Sequence, residues 1–452
     1  MQTGRVRAAG ELGAMPRFQS VMQDSSTVLS SAFVAGSAQF GFDETRLLAP
    51  EQAIVAYFAR ARIEPAGIER VPLEAAAGRV LAEPAIAREA HPGYPRSTMD
   101  GFAIETGSGS APRRIVGEVL MGHAPPRQVG PGVAMRVPTG GAMPVGADAV
   151  VPQEDVEIVD GAIVLKEAVA SGEFVTGFDE DVRAGETVLP AGRRIGGPEL
   201  GVLATLGITS IAVFVRPRIG IVSTGDELVD ASQQPGLGQV RDSNRYAVAG
   251  SLAAFGAEPV HLPRAADTPE ALRAIVRAAL ESCDALVTTG GSSVGVRDLV
   301  PPIVAELGAP GAIVHGLRVK PGKPTLLAAV GRKPVIGLPG NPTSCLMILE
   351  AIVRPIVAAL TGERAARPAV VRAVARAPFA GRAGWTWFVP ALLRSRGGEL
   401  EAEPLRLRSA QTSLLARASG YATIGEDPSH VAAGQLVNVT LFSAGGAPVE
   451  VQ

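Results

Sequence analysis

Cysteine is nearly absent from this chain. The only two, Cys283 and Cys345, form no CxxC pair and cannot make a disulfide framework. Both sit among apolar neighbours and read as small buried hydrophobes. Aromatic residues reach only 4%, which argues against a nucleic-acid binder built on base stacking. An excess of either charge is lacking too. Lys and Arg number 42 against 44 Asp and Glu, so the net charge of −2 gives no global field for nucleic acid or an anionic membrane. The five histidines (His91, His123, His261, His315, His430) show no zinc spacing. The longest apolar stretch, Cys345 to Leu360, is interrupted by Glu350 and Arg354 and is not read as a membrane span. Arg5 and Arg7 are not followed by the continuous apolar core of a signal peptide. These absences lead us to expect a cytoplasmic protein with no nucleic-acid and no membrane partner.

What the chain has in quantity is apolar residues, glycine and proline. With 46% hydrophobic residues it can bury a core, which excludes wholesale disorder. Glycine and proline make up 89 of 452 residues, about a fifth against a typical ~12%, with no collagen period, so they should be turns and close backbone approaches. At ~100–200 residues per domain the length implies two to four domains. Residues 1–46 carry no sustained period and read as a flexible tail. Pro50-Glu51-Gln52 then opens a helix to Arg62. We group 47–85 with 180–216 as a discontinuous linker domain of helical and extended character, with a helix opening at Pro198-Glu199. Residues 86–179 hold short β-branched runs between Gly/Pro turns, a small all-β domain. Residues 217–365 alternate strand and helix, which means βαβ units and a mostly parallel, doubly wound sheet. Residues 366–452 return to β-like runs, a C-terminal β domain. The expected fold class is thus a multidomain α/β plus β protein with the α/β domain at its centre.

In an open α/β sheet, ligands bind outside the carboxyl ends of the strands. Four loops fall there: Thr224-Gly225-Asp226-Glu227, Arg241-Asp242-Ser243-Asn244, Gly290 through Asp298, and Pro339 through Ser344. They supply glycine amides, helix N-termini and four carboxylates. Each loop singly is weak evidence, and Asp242 and Asp298 read equally well as helix caps. Carboxylates beside phosphate-binding amides make electrostatic sense with a cation between them, the usual Mg²⁺ environment. Lys320-Pro321-Gly322-Lys323-Pro324 adds fixed positive charge on a proline-stiffened turn, favouring anion binding over a solvated pair.

These motifs resemble the molybdopterin molybdenumtransferases, the MoeA family that includes the E domain of gephyrin. Residues 217–360 are similar to its pterin-binding domain. Outside it, Ser97-Thr98-Met99-Asp100-Gly101-Phe102-Ala103, Pro138-Thr139-Gly140-Gly141-Ala142-Met143-Pro144 with Gly146-Ala147-Asp148-Ala149-Val150-Val151, and Asp181-Val182-Arg183-Ala184-Gly185 look like family segments. The resemblance implies a reaction in which adenylylated molybdopterin and molybdate yield molybdenum cofactor and AMP with Mg²⁺. It also implies a homodimer whose site lies between the α/β domain of one subunit and the β domain of the other. Carried over residue by residue, it assigns metal binding to Asp226, Glu227, Asp242 and Asp298. Catalytic roles fall on Glu227, Asp298 and Lys320, with Asp100, Thr139 and Asp181 expected from the partner subunit. Thr224, Gly225, Asn244, Gly290, Gly291, Ser292, Ser293, Gly295, Lys323, Pro339, Gly340, Asn341, Pro342 and Ser344 would hold pterin and phosphate. Asp267 aligns with a further family acid, and we read it as a helix cap. An adenylyltransferase partner and molybdoenzyme acceptors are also implied.

Two departures stand out. Gly316 occupies a place that is basic in some members, with Arg318 close enough to substitute. Where members often carry Gly-Arg-x-Glu-Phe, this chain has Gly384-Trp385-Thr386-Trp387-Phe388, a tryptophan for the expected arginine. That change either weakens oxyanion capture or reflects packing of the small domain. The alternatives to metal insertion are a molybdopterin adenylyltransferase-like enzyme, which would not need the Asp100 and Thr139 segments, and a non-catalytic pterin-binding scaffold, which the intact acids disfavour.

Overall fold

The computed structural model describes residues 47–109, 111–266, 268–290, 299–364, 368–406, 411–443 and 450–451. The expected tail over 1–46 lies outside them.

The chain opens with helix Pro50–Arg60, which has proline at its start, Glu51 in its first turn, and the Gln52 side chain accepting from the Ala49 amide. Its buried face does not join 180–216, with which we had grouped it. Ala53, Tyr57 and Ala61 belong to the core of the α/β unit, and the Tyr57 hydroxyl donates to the Ala328 carbonyl at 3.1 Å. Residues 68–216 do close on themselves. Strand Ile68–Pro72 pairs antiparallel with Ser210–Phe214, and Ala85–Ile86 pairs with Thr187–Leu189. Helix Gly197–Thr205 packs Leu203 onto the same small core as Val71, Leu81, Ile211 and Val213. Between these pairs a six-stranded sheet is inserted, in the order 149–152, 101–104, 133–137, 113–118, 162–165, 156–159. Among the described residues its two core clusters draw only on residues between 102 and 175.

The α/β unit is a mixed sheet. Strands 258–261, 218–223, 285–289 and 333–338 are parallel neighbours in that order. To these the structure adds an antiparallel pair, 326–330 and 310–315, beyond the expected parallel set. Apolar cores lie on both faces of this sheet. Helix Pro269–Ser282 is capped by Thr268, whose hydroxyl accepts from the Ala271 amide, while Asp267 lies outside the described residues. The run Pro342–Thr361 is long and apolar enough to cross a membrane, with mean hydropathy 1.8, yet 67% of that window is buried within the protein. It is a core helix, broken by a π-turn over Leu349–Val353, where buried Glu350 accepts from the Ser443 hydroxyl. It ends at Gly362, whose positive φ of 74° places it against Phe214 of the 68–216 unit. Arg194 locks the same junction by a two-pronged bond to Glu363 at 3.1 and 2.6 Å.

The C-terminal strands 386–396, 399–404, 370–375, 436–441 and 420–424 form a second large sheet. Its first strand also pairs in parallel with Val319–Lys320, so the α/β unit contributes an edge to it.

Candidate functional site

Topology carries the loops to one rim. The parallel strands end at Ser223, Thr289 and Leu338, so Thr224, Gly290 and Pro339 share an edge. Strand 326–330 runs the other way, with Leu326 opposite Gly337, so the turn before it, Gly316–Thr325, emerges at that same edge. Residues 228–229 and 240–241 pair in parallel just above it, bringing the Glu227 and Asp242 loops side by side.

Close backbone approach explains the glycines. Gly290 has φ of +88°, and a Cβ there would stand 2.5 Å from the Thr224 carbonyl oxygen; one at Gly340 would stand 3.6 Å from Gly290 Cα. Three loops therefore meet at van der Waals distance. Asn244 ties in the fourth by donating from Nδ2 to the Gly340 carbonyl at 2.8 Å. Gly322 has φ of +112° and lies so near Ile348 that a Cβ would overlap it at 2.3 Å, which pins the lysine turn to the core helix.

The polar chemistry of the rim is not what free amides alone would suggest. The Asn341 side chain accepts from the Thr343 and Ser344 amides, so the N-terminus of helix Pro342–Ile348 is satisfied from within. Asp242 caps in the same way through Oδ1, which accepts from the Arg245 amide at 3.1 Å. Its Oδ2 has no partner among the described residues although the residue is only 3% exposed. Thr224 Oγ1 and Asn244 Oδ1 are likewise buried without a partner there. A buried unpaired oxygen costs about 1–3 kcal/mol, so these three mark a polar edge where Asp242 and Asn244 offer acceptors and the Thr224 hydroxyl can donate or accept. Asp226 and Glu227 are exposed loop acids, with the Glu227 carboxylate folded back over Gly225. Among the described residues no three His, Cys, Asp or Glu side chains converge as a metal cluster, and Asp298, the fourth acid of the expected set, lies outside them. Gly291, Ser292, Ser293, Gly295 and Asp298 lie outside the described residues. Below the rim, Thr289 Oγ1 donates to Ser223 Oγ at 3.2 Å, a buried hydroxyl pair that the strand pattern did not single out.

Lys320 and Lys323 stand on the pinned turn. The Lys320 ammonium lies 4.6 Å over the Trp387 ring and that of Lys323 lies 6.0 Å over Trp385. Arg318 does not stand in for a basic residue at 316. Its guanidinium is held at 2.8 Å by Glu426 of the C-terminal sheet. The two tryptophans are only half-buried, so neither is simply core.

Of the remaining expected residues, Asp100 and Thr139 belong to the inserted β unit and Asp181 to the segment that follows it. Asp100 Oδ1 accepts from the Thr139 amide at 2.6 Å and from its hydroxyl at 2.9 Å. The amide first, then the hydroxyl, hold the carboxyl below its ordinary range. Both residues are exposed. Asp181 is exposed too, on a segment whose Val182 bridges His91. Apart from Asp181, the expected site residues thus divide between two separately cored units.

Comparison with known proteins gives this arrangement its context. Family descriptions for the MoeA N-terminal region (domains I and II), a probable molybdopterin-binding domain and the MoeA C-terminal region (domain IV) match residues 48–207, 220–359 and 372–442. The molybdopterin molybdenumtransferase of Bacillus subtilis is 31% identical over 386 residues, covering 83% of this chain and 90% of that one. That of Nostoc sp. is 35% identical over 304 residues, 65% of this chain and 70% of that one. A crystal structure of a molybdopterin biosynthesis MoeA protein from Pyrococcus horikoshii superposes with a TM-score of 0.75 at 26% identity, over 88% of this chain and all of that one. Sequence and architecture agree along nearly the whole described length, and the chain belongs to the molybdopterin molybdenumtransferase family.

Proposed function

We propose that the protein inserts molybdate into adenylylated molybdopterin at the rim of its α/β sheet, releasing AMP and molybdenum cofactor. The observation that supports this reading best is the set of buried, unpartnered oxygens on Thr224, Asp242 and Asn244. Asp242 Oδ2 and Asn244 Oδ1 need donors or a cation, while the Thr224 hydroxyl can donate or accept. The substrate offers pterin amino and ring N–H groups, phosphate oxygens and a diphosphate that would bring a metal ion.

Magnesium fits that set. It prefers one or two carboxylates completed by water and phosphate oxygens rather than an all-protein cage, and Asp242 Oδ2 is one such unpaired oxygen. Asp242 would hold the ion, aided by Glu227, Asp226 and Asp298, and the ion would lower the cost of charge on the departing adenylate. The chain's own residues do the rest. The Gly290 and Gly340 turns admit the ligand backbone-close, Asn244 holds the loops together, and Lys320 with Lys323 draws the oxyanion toward the diphosphate. No protein nucleophile is required, because an oxygen of molybdate or water attacks the activated phosphorus.

Asp100, Thr139 and Asp181 complete the site in this reading from a second copy of the chain, so the working unit is a homodimer in the cytoplasm. The seat of Asp100 and Thr139 in a unit with its own core supports that view. Separate clusters in the linker, β and C-terminal units support dividing the chain into linker, β, α/β and C-terminal β domains. The α/β core also takes in helix Pro50–Arg60 and Phe388, Leu415 and Tyr421. An adenylyltransferase upstream and molybdoenzymes downstream are the partners this chemistry calls for. To test the reading, purified protein is incubated with adenylylated molybdopterin, Mg²⁺ and either molybdate or tungstate. AMP release that saturates with oxyanion is expected; AMP at the buffer rate with either anion overturns it.

A further inference from the structure

We propose that Trp387 is a positioning residue that sets the Lys320 ammonium group on the rim and thereby its affinity for a tetrahedral oxyanion dianion. This rests on the reading of the rim as the reaction site.

A lysine on an exposed edge ordinarily samples many rotamers and offers an anion little preorganised charge. Here both ends of the turn are fixed. On one side Gly322 packs on Ile348. On the other, Val319–Lys320 is annealed to the C-terminal sheet with Lys320 directly opposite Trp387. The indole itself is held, because Trp387 is paired in register with Ile424 on its other flank, and a Cβ at Gly381 would come within 3.2 Å of its Cγ. The Lys320 ammonium then rests 4.6 Å over an anchored ring, inside the ~6 Å range of cation–π attraction. Lys323 sits at the limit of that range over Trp385.

The choice of an aromatic partner has a consequence that an acidic one would not. Arg318, a few residues earlier, spends its charge on Glu426. Lys320, exposed and lying on a π face, is oriented without being neutralised by that ring, so its charge remains for an anion. The C-terminal domain thereby acts on the site through Trp387.

Trp385 and Trp387 are the only tryptophans in the chain, so indole emission reports this place alone. The protein is titrated with sodium molybdate in the presence of Mg²⁺, with sodium sulfate as a second dianion. A saturable change in emission is expected, and Lys320→Met should abolish it. In AMP release, Trp387→Ala should raise the KM for molybdate about two- to fivefold with kcat nearly unchanged, Trp387→Phe restoring most of the loss. Thermal unfolding checks that each variant is folded, and the Phe variant and Lys320→Met carry the test if Ala is not. An unchanged KM in folded Trp387→Ala, a Phe variant as impaired as Ala, or emission indifferent to molybdate overturns the proposal. Failure of the wild type to release AMP would instead overturn the reaction assigned above, while the emission titration would still report whether these lysines bind the anion.

Discussion

The α/β rim and the Asp100–Thr139 pair both carry acidic groups, yet they are built on opposite terms. On the rim, Asp242 is buried, spends one oxygen on a helix amide and leaves the other unmatched. In the β unit, Asp100 is exposed and its Oδ1 is already matched twice by Thr139. An unmatched buried oxygen is a standing cost that a ligand removes, so the rim is specified by what it lacks. A matched exposed carboxylate costs little and is held ionised, so it presents a fixed charge to whatever approaches. The glycines repeat the contrast. Gly290 is enclosed by Thr224 backbone, whereas Gly140 next to Thr139 has only the tip of Met121 at 3.7 Å from a Cβ.

Substitutions in matched pairs sharpen or break this contrast. The largest effect is expected at Gly290. Gly290→Ala combines a positive φ with a clash against backbone, and should cost about 2–4 kcal/mol in unfolding free energy while abolishing AMP release. Gly140→Ala, with a similar φ of +79° but open space, should cost only about 1 kcal/mol and leave activity within a fewfold. Thermal unfolding and AMP release on both variants decide the matter, and equal losses would break the comparison. Next comes Asp242→Asn, which keeps an acceptor for the Arg245 amide but removes the charge. Unfolding should move by less than about 1 kcal/mol, while the Mg²⁺ concentration for half-maximal AMP release rises about tenfold or more. Asp100→Asn should leave that Mg²⁺ dependence unchanged.

The smallest effect concerns pH. The Asp100 carboxyl is held below its ordinary range by Thr139. Its folded titration therefore lies below its unfolded one, so the stability it contributes is present above the unfolded value and lost as pH falls through the folded value. Thr139→Val removes the hydroxyl but not the amide, and the side-chain carboxyl titration followed by NMR should move only part of the way back toward an unperturbed aspartate. A full return would mean that the hydroxyl, not the amide, holds the charge.

Much of this was legible in the chain. Thr224-Gly225, Gly290 and Pro339-Gly340 follow apolar β-branched runs, and period and turn chemistry place such loops at a sheet edge without any coordinates. The antiparallel strands 310–315 and 326–330 were not anticipated, because a short apolar run does not declare its direction. With them went the location of the lysine turn, which follows only from Leu326 lying opposite Gly337. Helix Pro50–Arg60 was legible as a helix but not its partner, since an amphipathic face says that it will be covered and not by what. Capping at Asp242 and Asn341 was readable from residue type, whereas the unmatched second oxygen of Asp242 was not.

Local rules, then, were enough for the glycine turns, the helix starts and the identity of the acids, because each depends on a few consecutive residues and their dihedral preferences. Which loops share an edge, which carboxylate is enclosed, and that a tryptophan more than sixty residues away lies under Lys320 were decided by strand direction and packing. Those are contacts between distant segments, and no local preference encodes them.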